Sequence, residues 1–315
     1  MKSFIKRLLP VLGGILALAV QIGVKNNSKQ VVPEHPYFTW FLIAATAVFV
    51  VFLLVSLFLS NSRLYLEKSG PFYFAAFAFI TLLNVLVSKL AVFPAFLFPS
   101  FDRIFSVFFE KPAFLLKCVG SSFKLLAFGL LFGISLGFLT GVGLGFSKRF
   151  GYWANPIIKI IGPIPATAWI PLMLQLLPAY GASVFVVALS VWFPVVLLTS
   201  SGIANIPNAY FEVGKTLGAG KLYQIVKIGI PAAMPNIFQG IFFGVCSSFI
   251  ALMPAEMYGA KAGLGWLISH GKENVDYTEV YSALILTAIF CTVILNVLFV
   301  IRGKILRWQK GLVKW

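Results

Sequence analysis

Histidine, cysteine and acidic residues are scarce in this sequence, and each shortage removes a class of function. The two histidines, His35 and His270, fall in separate polar stretches with no nucleophile or second metal ligand at a useful spacing, and read as surface residues. Cys118, Cys246 and Cys291 stand singly in or beside apolar segments, without CxxC or Cys/His spacing, which excludes a disulfide framework and a cysteine-built metal site. No pair of acids and no Ser/His set shares a depth, so an isolated membrane enzyme is not encoded. GAGK at Gly218–Lys221 lacks the rest of a phosphate loop. Lys215 stands where the first glycine is required, and Leu222 where Ser or Thr would hold magnesium. No nucleotide site and no cofactor is therefore expected on this chain.

Apolar residues, in contrast, are plentiful. They make up 60% of the chain against 11% charged, with a mean hydropathy of +0.95. Soluble domains hold roughly 45–50% apolar residues, so this is an all-α, polytopic membrane protein. Residues 1–24 join a basic start (Lys2, Lys6, Arg7) to a moderately apolar run, a pattern shared by signal peptides and short spanning helices. A retained helix is favoured because further apolar segments follow at once. Residues 37–60 are uninterruptedly apolar and long enough to span. A polar turn is expected at 61–70 and a third span at 71–93, with Lys89 snorkelling from its end. Residues 98–119 mix charge with phenylalanine and read as an amphipathic interfacial piece.

The fourth span, 120–146, places Gly129, Gly133, Gly137, Gly141 and Gly145 at an unbroken spacing of four, one side-chain-free stripe along a helix. Such a stripe serves a helix that packs and slides, or simply tight packing. The fifth segment, 155–177, contains Pro156, Pro163, Pro165 and Pro171. A helix so interrupted frees carbonyls that lipid does not satisfy, so its backbone is either kinked within protein or lines a wet path. Further spans are expected at 181–204, 236–255 and 279–301, eight in all. Glu256, beside a Gly-rich turn at 259–265, either guards the mouth of a path or is a helix-end residue satisfied by that turn.

Assigning alternate segments to alternate sides puts fifteen of the twenty-five basic residues on one face with only Glu67 and Glu212. The other face holds seven basic and seven acidic residues. The first face is cytoplasmic by the positive-inside rule, with both termini on it. The formal charge of +16 is an orientation signal, and nucleic acid is excluded as a partner.

Residues 212–231, EVGKTLGAGKLYQIVKIGIP, fall on the cytoplasmic face between two apolar segments. A short helix, a glycine turn and a second small amphipathic helix ended by Pro231 fit the pattern, which by itself also suits a solvated connector. Its order resembles the motif of binding-protein-dependent ABC importer permeases, in which Glu-Ala-Ala is followed after three residues by Gly and after nine more by Ile-x-Leu-Pro. Here these are Glu212, Val213, Gly214, then Gly218, then Ile228, Ile230 and Pro231, with Val213, Gly214 and Ile230 replacing the two alanines and the leucine. The similarity extends over about 96–308 and is strongest with the nitrate, sulfonate and taurine branch. It includes Ser122, Pro163, Pro165, Pro171, Pro235, Glu256, Gly263 and Gly265, while Leu125 stands where the family usually has arginine.

The resemblance implies a six-helix type I importer core at 71–315, with a coupling loop at 207–235, and an N-terminal extension of two helices at 1–70. It implies a permease of the bacterial inner membrane that pairs with a second permease copy, two ABC ATPase subunits and an extracytoplasmic solute-binding protein. Glu212, Gly214, Leu217, Gly218, Ala219, Ile228 and Pro231 would couple to the ATPase; Pro163, Pro165, Pro171 and Glu256 would line the path. A small anion such as nitrate, a sulfonate or taurine is the expected cargo, with a vitamin or pyrimidine precursor as the alternative. A channel or secondary transporter is the competing class.

Overall fold

A computed structural model describes residues 2–30 and 33–307, with no description of the side chains of 2–4, 60 and 61. The basic tail residues Lys310 and Lys314, and the limit of the family resemblance at Trp308, lie outside the described residues. Everything regular is helical among them. The long helices are α1 (Lys2–Gly23), α2 (Tyr37–Phe58), α3 (Ser60–Asn84), α5 (Pro112–Phe146), α8 (Ala179–Ala204), α11 (Ile230–Gly259) and α13 (Tyr277–Ile305). Shorter ones are α4 (Phe101–Glu110), α6 (Lys148–Ile161), α7 (Ile170–Leu176), α9 (Asn208–Thr216), α10 (Lys221–Tyr223) and α12 (Leu264–Glu273). Among the described residues seven helices are long and apolar enough to cross a membrane, and eight spans result if α6 and the Ala166–Leu176 stretch, bent by 87°, form one.

The chain divides into two compact units. The first comprises residues up to Leu115 with Gly271–Ser282, the second Leu116–His270 with residues from Ala283 onward. In the first unit α1, α2 and α3 pack on one another around Ala17, Phe38, Leu42 and Phe77. The polar turn expected at 61–70 is instead the first part of α3, which follows α2 after the single extended residue Leu59 and runs on through Pro71. Its charges are drawn into helix by α1: Arg7 pairs with Glu67 at 2.8 Å, and Gly70 lies against the Lys6 carbonyl so closely that no side chain fits. Lys89 does not snorkel. A π-helical turn at Val85–Lys89 rotates it inward, where it is buried and donates to the Gln21 carbonyl at 3.0 Å. Of the amphipathic piece expected at 98–119, only α4 is a separate helix, burying Asp102, Ile104, Ser106 and Val107; from Pro112 the chain is already in α5, which is longer than the span expected at 120–146. Just beyond α4 Lys111 pairs with Glu279 at 2.5 Å, and that carboxylate holds the lysine above its usual pKa.

The second unit is built on α8 and α11, with α5 along the other side of α8. A Cβ at Gly133 would lie 2.6 Å from both the Ala188 carbonyl oxygen and Val191 Cβ. At Gly137 it would lie 2.9 Å from the Trp192 oxygen, at Gly141 2.6 Å from Thr199 Cβ, and at Gly145 2.7 Å from Ile203 Cβ; Gly129 meets Val187. The five glycines thus bring the α5 backbone directly onto α8. Leu125 is 2% exposed and belongs to the apolar core with Val186, Val187 and Leu252, a setting in which an unpaired arginine would be costly. The seventh span is longer than expected. Helix is continuous over Lys221–Gly259, with Pro231 inside it, the π-helical segment Gln224–Gly229 leading straight into the α11 turn that holds the proline.

Gly133→Ala should lower the stability of the detergent-solubilised protein by about 1–3 kcal/mol. Gly120→Ala, on the same helix but with nothing within 4 Å, should change it by less than about 0.5 kcal/mol. Thermal midpoints of the two variants measured side by side check this, and equal midpoints would contradict the packing role.

Candidate functional site

The motif residues 212–231 form one compact structure. Pro207 sets an extended entry and α9 follows from Asn208, four residues before the expected start. Glu212 is therefore exposed in the middle of α9, beyond the first turn in which a carboxylate stabilises a helix end. The exit of α9 is a Schellman turn: Gly218 N donates to the Lys215 carbonyl and Ala219 N to the Gly214 carbonyl, both at 2.9 Å. This closure needs a left-handed residue, supplied by Gly218 at φ +78°. Gln224 then ties the far side down by donating its side-chain amide to the Ala219 carbonyl at 2.8 Å. Gly214 is buried under Ile228, whose Cδ1 sits 2.7 Å from where a Cβ would be. The small residue at this motif position therefore makes room for a second motif residue.

The second small helix expected after the glycine turn is not a separate element, because α10 is the first turn of the helix that continues into α11. What projects from the turn is apolar. Leu217 is 81% exposed and Leu222 74%, with Tyr210, Val213 and Tyr223 also exposed. A concavity of about 770 Å³ lies among Tyr210, Val213, Leu217, Tyr223 and Lys227. A cluster of large apolar side chains on a turn, ringed by Lys215, Lys221 and Lys227, is the composition of a protein-docking surface.

The proline-rich segment breaks at residues 162–165 between α6 and a short 3₁₀ turn at Ala166–Trp169. Pro163 and Pro165 line a cavity of about 250 Å³ with Thr167, Ser190, Trp192 and Ser247. The polar side chains here are the hydroxyls of Thr167, Ser190 and Ser247 and the Trp192 indole, and no charged side chain is among the lining residues. Pro171 is exposed in the first turn of α7 and is not part of this wall.

Of the two settings open to Glu256, the structure shows the turn-bound one. The side chain has no exposed surface, and its Oε2 accepts from Gly265 N at 2.8 Å. Gly263, at φ +152°, lies so close that a Cβ would sit 2.6 Å from Glu256 Cδ. Ser122 reaches the same turn from α5, its Oγ accepting from Leu264 N at 2.8 Å. Glu256 and Ser122 together hold the start of α12. Sequence spacing could not choose between the two settings, since one of the contacts that close the turn joins Leu264 to Ser122, 142 positions apart. The two histidines are occupied by stacking, His35 on Trp40 and His270 on Trp266. Glu256→Ala should cost about 1–3 kcal/mol by leaving the buried Gly265 N–H unpaired, and Glu256→Gln should retain most of the stability. Thermal unfolding in detergent checks this, and a Glu256→Ala midpoint equal to wild type would contradict it.

The chain is similar to several known proteins. The chain is 29% identical over 186 residues to the putative aliphatic sulfonates transport permease protein SsuC of Bacillus subtilis (strain 168), covering 59% of this chain and 67% of that protein. It is 32% identical over 148 residues to the nitrate import permease protein NrtB of Synechococcus elongatus, covering 47% of this chain and 53% of that one. In fold it is similar to a chain of the MetNI methionine ABC transporter in an inward-facing conformation. That likeness has a TM-score of 0.55 at 16% identity and covers 62% of this chain and 99% of the other. Residues 129–307, more than half of the sequence, match the family described as binding-protein-dependent transport system inner membrane component, and the chain belongs to that family.

Proposed function

We propose that this protein is the membrane-spanning subunit of an ABC importer, that it forms the substrate path, and that a separate ATPase drives it through residues 207–235. The observation that carries the reading is the Gly218 turn, which presents Leu217, Tyr210 and Tyr223 to a partner from a rigid base. The base is rigid because both glycines are committed, Gly218 to the left-handed turn and Gly214 to the seat of Ile228. The far side of the turn runs without interruption into α11, so a push on Leu217 is delivered to a long membrane helix. Closing of two ATPase subunits would draw two such turns together and rock the helices they belong to, an alternating-access cycle. ATP is bound and hydrolysed by those subunits.

Orientation follows from charge: the basic termini and the Gly218 turn face the cytoplasm of a bacterial inner membrane. The path forms with a second permease copy, the broken segment at Pro163 and Pro165 contributing one wall. Hydroxyl lining without a fixed charge suits passage of a small solute that is selected elsewhere, by an extracytoplasmic solute-binding protein. The cargoes for which the relatives are named, aliphatic sulfonates and nitrate, support a small inorganic or sulfonate anion, taurine-like compounds included.

Gly218→Asp should leave membrane insertion and abundance intact while abolishing coupling of ATP hydrolysis to uptake, whereas Glu212→Ala should be mild, a change of less than about 1 kcal/mol at an exposed mid-helix site. Uptake by Gly218→Asp at the wild-type rate, measured in reconstituted vesicles with the ATPase and binding protein, would refute the coupling role. Purification from the native membrane should bring an ATP-hydrolysing subunit with the wild-type chain, and recovery of the permease alone in native lipid would contradict the assembly.

A further inference from the structure

The first unit contains a buried polar cluster that the transport reading does not use. At one end of the α1–α3 bundle, Gln21 of α1 is a hub. Its side-chain amide donates to Asp102 Oδ2 at 3.1 Å, its Oε1 accepts from Asn84 at 2.8 Å, and its backbone carbonyl accepts from Lys89 Nζ at 3.0 Å. Lys89 is 7% exposed and Asp102 3%. Both line a cavity of about 420 Å³, a size suited to a small ligand, yet they make no ion pair with each other. An ammonium has three N–H donors, and among the described residues Lys89 has one acceptor, the Gln21 carbonyl. Asp102 accepts from Phe38 N at 3.1 Å and from Gln21, and a carboxylate takes about four hydrogen bonds. Asn26, also on the wall, has a buried Oδ1 with no partner.

Burying opposite charges apart from each other is costly, and ionisable groups among membrane helices mark sites that handle polar solutes. We infer that this cavity binds a small zwitterion, whose anionic group meets Lys89 and whose ammonium meets Asp102 and Asn26 Oδ1. The charges of the wall favour both poles together: Lys89 and Asp102 cancel inside, and Lys25 and Glu34 cancel at the rim. A simple anion or a simple cation satisfies one buried charge and faces the other. The site lies entirely within the first unit and does not depend on the ATPase-docking turn, so its failure would leave the transport reading intact.

Calorimetry on the full chain in lipid nanodiscs tests this directly, with glycine, β-alanine and γ-aminobutyrate as probes and propionate and propylamine as controls. At least one amino acid should bind roughly tenfold more tightly than either control, or more. Asp102→Asn should remove that preference, leaving propionate as good a ligand as the amino acid. Thr39→Trp, which fills the cavity from a half-buried position on its wall and removes neither charge, should abolish binding. The inference is overturned if no amino acid binds at millimolar concentration, if a control binds as tightly as the best amino acid, or if Thr39→Trp binds like wild type.

Discussion

In hydrocarbon two helices gain little by burying leucines against each other, because lipid is as apolar as the side chains it displaces. Attachment has to come from close packing, and in the second unit it comes from the α5 backbone lying directly on α8. Five glycines at a spacing of four make that approach possible, and the residues they meet, from Val187 to Ile203, run the length of the α8 core. The Leu125 and Leu126 cluster and the α11 contacts build on an α8 already fixed at this distance. Continuous helix from Lys221 to Gly259 then carries this packing to the Gly218 turn.

The turn itself combines a rigid base with an exposed tip. Schellman closure and the Ile228 seat satisfy its backbone and fix its shape, while the apolar side chains outside that base are exposed. At the other end of α11, Glu256 and Ser122 close a second turn without leaving exposed charge. The two ends of one helix are thus finished differently, one as a surface for contact and the other as an internal clamp.

Features that depend on near neighbours could be read from the sequence. The glycine stripe is a matter of spacing four, and Gly218 announced a turn because few other residues take its backbone conformation. The order of spans was legible because hydrophobic length is a local property. Contacts between distant residues were not. Lys89 looked like a snorkelling lysine because Gln21, its acceptor, is 68 positions away, and the charged stretch after α2 looked like a turn because Arg7 and Lys6, which hold it in helix, precede it by some sixty residues. Pro231 looked like a helix stop because the π-helical segment that carries the helix up to it has no sequence signature at this length.

The account centres on a membrane body moved through an exposed apolar tip by a subunit that hydrolyses ATP. A photo-crosslinking amino acid placed at Leu217, 81% exposed, tests this most directly in native membranes. The account predicts an adduct with a nucleotide-binding subunit whose yield changes when ATP is trapped unhydrolysed. Adducts with lipid alone, or labelling of this position from the outer face of intact cells, would contradict it.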